Sequence, residues 1–197
     1  MKFCFVKDKS GFSLVELIVV VLIMAIVATG TAVAISTLYN ADVERTAKKV
    51  TNLMKVARSK AIALDDTSTQ VIVRLYKDAS GDYKGGVFLH KTSDGTFHEY
   101  DESLVTEEKI SNYKVDLTVS GKASSSGEAT KSISSSVVDY YTKSTGGIIK
   151  QELDGVVYGL DDAGKPDEHR LYRDLIFSGS DTSRIIIVPA TGKSYLD

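Results

Sequence analysis

From Phe12 to Ile35 every position is apolar or small, with one exception at Glu16. Read as a helix, these 24 positions extend about 36 Å at about 1.5 Å per residue, enough for a hydrocarbon core about 30 Å thick. Lys2, Lys7 and Lys9 precede the run against only Asp8, which places the N-terminus in the cytoplasm and residues 36 to 197 outside. Past the run the pattern becomes helical and one-sided. Val43, Ala47, Val50, Met54, Ala57, Ala61 and Leu64 alternate four and three apart, one stripe on one face. No proline occurs before Pro166, so one helix of about 53 residues is expected from Phe12 to Leu64, with Gly30 as its weakest point.

At Asp65-Asp66 the period changes. Short β-branched and aromatic runs follow at 69–77, 85–91, 113–119, 155–160, 171–177 and 184–188, separated by turn clusters such as DASGD, DDAGKPD and SGSD. A run of strands after one helix predicts an α+β fold, with an antiparallel sheet packed on the helix stripe. The expected divisions are 1–11 as a leader, 12–35 as the membrane half of the helix, 36–64 as its amphipathic half and 65–197 as a β-rich head. The serine-rich tract at 120–136 offers little apolar area to offset ordering entropy and is expected to be a mobile surface loop.

Composition adds little to this. The chain is 43% hydrophobic and 25% charged with a formal net charge of -2, which points to neither nucleic acid nor an acidic substrate. Its one cysteine, Cys4, precedes the apolar run, so the head folds without disulfides.

Glu16 is the anomaly. A carboxylate within a membrane span is unfavourable by roughly 2.5–3.5 kcal/mol at the centre and by less near the interface, and neither a secretory signal nor a plain anchor has a use for it. In KSGFSLVELIVVVLIMAIVA, however, Gly11, Phe12 and Glu16 stand between a basic leader and an apolar helix, and the string resembles a type IV prepilin signal. The resemblance implies that a prepilin peptidase cleaves between Gly11 and Phe12 and N-methylates Phe12. It also implies that the span remains attached, and that Glu16 serves in assembly by meeting the Phe12 amine of a neighbouring subunit. MKVARSKAIAL and the closing RIIIVPATGKSYLD are similar to H-type pseudopilins of type II secretion and their minor-pilin relatives. Two features depart from common pilins: the second half of the span holds Gly30 but no proline, and there is no C-terminal cysteine pair.

Candidate chemistry elsewhere is sparse. His90, His98 and His169 match no zinc spacing, and DDAGKPDEH lacks the ligand order of a calcium loop. No nucleophile elbow, phosphate loop or H-E-x-x-H motif occurs, so the reading is of a protein that is not an enzyme and needs no cofactor or metal. Charge patterning says more. Arg45, Lys48, Lys49, Lys55, Arg58 and Lys60 lie on the helix with no acidic residue between Arg45 and Leu64, whereas Glu99, Asp101, Glu102, Glu107 and Glu108 cluster in the head. With Arg170, Arg173 and Lys193 these cations are candidates for contact with other subunits, with anionic membrane lipid before assembly, or with DNA. Loss of the leader removes three lysines and one aspartate, leaving 21 basic against 25 acidic residues. DNA would therefore need a local patch. The leading expectation is a minor pilin or pseudopilin of a pilus, secretion or competence filament; the alternatives are a DNA-binding minor pilin and a surface protein held by an uncleaved anchor.

Overall fold

In a computed structural model of the chain, Leu14–Ala63 forms one α-helix, α1. The structure describes residues 13–64, 69–91, 102–111, 115–124, 127–179 and 181–197. The leader through Phe12, and with it the Gly11–Phe12 junction, lies outside them. The chain divides into two compact units, Met1–Leu38 and Tyr39–Asp197.

In the first unit the described side chains from Leu14 to Val27 are exposed on every side of α1, from Leu14 at 75% to Val20 at 43%. A helix apolar all round has no water-facing stripe. Among the described residues no helix is long and apolar enough to cross a membrane. The described side chains of the expected span that are apolar or small, Glu16 apart, run only from Leu14 to Gly30, about 26 Å of helix, and positions 31–35 lie outside the described side chains. Gly30 continues the helix, and the Thr29 hydroxyl donates back to the carbonyls of Ala25 (3.1 Å) and Ile26 (2.9 Å), so its polar group is satisfied within the helix.

The second unit holds eleven strands among the described residues: β1 Thr69–Lys77, β2 Tyr83–Lys91, β3 Glu102–Lys109, β4 Asp116–Ser124, β5 Gly127–Ser132, β6 Ser136–Tyr141, β7 Ile148–Leu153, β8 Val156–Tyr158, β9 Asp174–Ser178, β10 Thr182–Val188 and β11 Lys193–Leu196. They form two sheets rather than the single sheet expected. One is ordered β3-β2-β1-β6-β7-β8, the other β11-β10-β9-β4-β5, and every pairing is antiparallel. The helix stripe is the reason two sheets can share one core. Val43, Ala47, Val50, Met54, Ala57 and Ala61 are buried in the same cluster as Val71, Val73 and Leu75 of β1 and as Leu175, Phe177, Ile185 and Ile187 of β9 and β10. One apolar helix stripe thus shares a single core with strands of both sheets.

The serine-rich tract corrects a second expectation. Residues 120–124 and 127–132 lie in the paired strands β4 and β5 rather than in a loop. Strand pairing satisfies backbone groups whatever the side chains, and Ser120 and Thr130 face each other with hydroxyls 3.4 Å apart, a cross-strand pair that favours the ladder.

Candidate functional site

Glu16 occupies the first turn of α1, where the N–H of Leu17 already closes back on the Ser13 carbonyl at 3.1 Å. A carboxylate here interacts favourably with the positive end of the helix dipole. It is the one ionisable group among the exposed apolar side chains from Leu14 to Gly30.

In the second unit, the turn after β10 brings distant cations together. Thr191 and Gly192 donate their N–H groups to the Val188 carbonyl at 3.1 and 2.8 Å, the Pro189 carbonyl accepts from Ile148 N–H at 2.8 Å, and Arg58 Nε donates to the Thr191 carbonyl at 2.7 Å. Only glycine fits at 192: its φ is +62°, and a Cβ would lie 1.8 Å from the Gly146 carbonyl oxygen. Beside this turn Lys55, Arg58 and Ser59 of α1 face Lys193, Ser194 and Tyr195 of β11 across a hollow of about 370 Å³. Ser194 is buried, and its hydroxyl has no hydrogen-bond partner among the described residues. A second hollow of about 450 Å³ shares Lys55 and Ser59 and adds Val56, Lys60 and Ala63.

Residues 6–32 match the prokaryotic N-terminal methylation motif. The chain carries a type IV prepilin-like signal. The matched residues contain Gly11, Phe12 and Glu16, and such a motif implies processing by a prepilin peptidase and assembly with other pilins. No curated protein and no solved structure matches the chain.

Beyond the signal, the remaining candidate cations are scattered. Lys48 pairs with Glu44 at 2.5 Å. Lys49 donates to the Lys109 carbonyl at 2.6 Å and stands 4.0 Å from Glu108, and Arg45 is exposed. Arg170 is enclosed by acidic groups, with Asp162 at 2.9 Å and Asp167 at 3.4 Å. The hydrogen bond that Arg170 donates to Asp162 raises the guanidinium pKa further, and the same bond lowers that of Asp162. Arg173 lines a separate hollow of about 710 Å³ in mixed company with Glu168, Asp174 and Arg184. Two aspartates of DDAGKPDEH are engaged locally: Asp161 accepts from Ala163 N–H (2.9 Å) and Lys165 N–H (2.7 Å), and Asp167 caps the 3-10 turn Glu168–Arg170 by accepting from His169 N–H. Among the described residues no group of three metal-ligating side chains assembles. The sequence reading passed over Ser59, Ser194 and Tyr195. Only the alternation of KSYL, exposed then buried then exposed, marks Ser194 as inward-facing, and that needs the strand to be recognised first.

Proposed function

We propose that this protein is a minor pilin or pseudopilin, a structural subunit rather than an enzyme. It is cut between Gly11 and Phe12 by prepilin peptidase, N-methylated at Phe12 and passed from the membrane into a filament. The carrying observation is Glu16 in the first turn of α1, whose described side chains from Leu14 to Val27 are otherwise apolar on every side, within the methylation motif. In this reading residues 12–35 span the membrane with the N-terminus cytoplasmic and the head outside, and the helices later bundle in the filament interior. The closing strand, turn and basic residue of RIIIVPATGK favour the H-type pseudopilins and their minor-pilin relatives. DNA capture has less support, because Arg170 is neutralised within its own loop and Arg173 stands among carboxylates.

The test is mass spectrometry of the membrane-extracted protein from cells with and without the peptidase. A methylated Phe12 start that needs the peptidase is expected. A start beyond Ala28 overturns the reading in favour of an ordinary secretory signal, and an intact leader in cells with the peptidase overturns it in favour of a plain anchor.

A further inference from the structure

Several cations of the head are matched by carboxylates: Lys109 with Asp82 at 2.6 Å, Arg184 with Asp174 at 2.8 Å, Arg170 with Asp162 at 2.9 Å. Beside β11, Lys55, Arg58 and Lys193 converge on one hollow; among the described residues no carboxylate lines it, and Lys55 and Lys193 have no anionic partner. Lys55 and Lys193 are 138 positions apart in the chain, so helix periodicity does not explain the convergence. Three positive groups around one space are the recognition elements of an oxyanion.

The surroundings narrow what carries that oxyanion. β11 ends the five-stranded sheet, with β10 on one flank and no described strand on the other, so its free edge can accept an extended segment by main-chain pairing. The adjoining hollow is walled by Val56 and Ala63 beside Lys60, and Tyr195 on the edge strand is 53% exposed. An occupant with apolar side chains next to an acidic one fits both hollows. A nucleic-acid backbone fits less well, because its affinity comes from many phosphates met in series, and here the cations meet at one space instead of following a track.

We propose that this groove docks an extended acidic segment of a neighbouring filament subunit. The segment adds to the edge of β11 and places one Asp or Glu carboxylate among Lys55, Arg58 and Lys193. The inference rests on the filament reading above.

The full-length chain, carrying a photoreactive phenylalanine analogue in place of Tyr195, is expressed in cells with the peptidase and assembly machinery and irradiated. The expected product is a cross-link to an Asp- or Glu-containing segment of a pilin-like subunit, whether a second copy or a different chain. It should fall about tenfold in the Lys55→Glu/Lys193→Glu double variant and less in the Lys55→Gln/Lys193→Gln pair. Melts of the detergent-extracted variants control for folding; should the reversal unfold the head, the glutamine pair alone decides. Cross-links only to nucleic acid or lipid, no cross-link at all, or an undiminished yield in a folded variant each overturn the proposal. The N-terminus is sequenced in the same samples. A Phe12 start with a failed cross-link rejects the groove alone, whereas another start rejects the filament reading beneath it.

Discussion

Gln151 on β7 donates its side-chain N–H to the Asp139 carboxylate on β6 at 2.9 Å, and each residue is only 1% exposed. The other end of the same amide accepts the N–H of Tyr172 at 2.8 Å, just before β9. One glutamine thus bridges the six-stranded sheet to the segment that leads into the five-stranded one. Such a buried polar link favours one arrangement of the two sheets, because any other leaves an amide and a carboxyl unpaired in the core.

Burial pushes the Asp139 carboxyl up to about 7 from 3.8, against the opposing pull of the Gln151 hydrogen bond. The folded chain therefore holds this proton more tightly than the unfolded chain. The contribution of Asp139 to stability falls as pH rises from 3.8 to about 7 and is level above that. Asp139→Asn keeps the acceptor oxygen without the charge. It is expected to stabilise the protein at pH 8, on the order of a few kcal/mol, and to flatten this part of the pH profile. Denaturant melts across the range check this; an unaltered slope would show that Asp139 ionises freely.

Asp154 has the opposite sign. Burial works against its charge, but N–H donors from Ser134, Ser136 and Ser135 outweigh it and hold the carboxyl below its ordinary range. These bonds run from 2.7 to 3.0 Å, and the Ser134 hydroxyl adds another at 3.1 Å. Its stabilisation is present above the unfolded value of 3.8 and is lost as pH falls through the lower folded value. Asp154→Asn, which tolerates the left-handed backbone at φ +50°, should lower the melting temperature at pH 7, and the gap from wild type should narrow on acidification. A constant gap at all pH values would argue against this account.

Val50 and Met54 are fully buried. Met54→Asp strands a charge in the shared core and should abolish the cooperative melt of the second unit. Met54→Leu keeps volume and should cost less than about 1.5 kcal/mol. A normal melt for the aspartate variant would mean that the stripe faces water.

Gly192→Ala must place a methyl against the Gly146 carbonyl at a φ of +62°. It should destabilise by more than the roughly 1–2 kcal/mol of the backbone conformation alone. Gly30→Ala, with nothing within 4 Å of the added carbon, is the control and should be neutral or slightly stabilising. Equal melts for the two variants would contradict the close approach at Gly192.

Glu16→Val should still be inserted and processed but should enter filaments poorly, while Glu16→Asp is partly impaired by its shorter reach. Pairing with the Phe12 amine of a neighbour would set subunit stagger more than it adds net stability, since both charges must be desolvated. Comparison of membrane-bound and sheared filament fractions decides this. Normal incorporation of the valine variant would rule out an assembly role.

Features carried by neighbouring residues were legible before any coordinates. The stripe from Val43 to Ala61 repeats within one helix, and β1 coincides with the run TQVIVRLYK because its composition and flanking turns lie in one window. The methylation motif is likewise contiguous. β6 was missed for a physical reason. Its burial is nearly continuous, with Val137 and Tyr141 in the main core, Val138 and Tyr140 in a second cluster with Ile72, and Asp139 buried between them. An acid in mid-strand therefore reads as a break when it is in fact a satisfied core position.

The amino-acid order by itself determined the helix and its buried stripe, the antiparallel character of the head, and the processing signal with Glu16 near its start. Each depends on side-chain period or on residues a few positions apart. Tertiary structure alone decided that the strands divide into two sheets, that β1 pairs with β6 from Val71↔Tyr141 to Tyr76↔Ser136, and that Lys55 and Arg58 meet Lys193 while Arg170 is neutralised elsewhere. Strand partners and converging charges are chosen by how much apolar surface the whole chain can bury at once. That is a property of distant residues together, which no local period records.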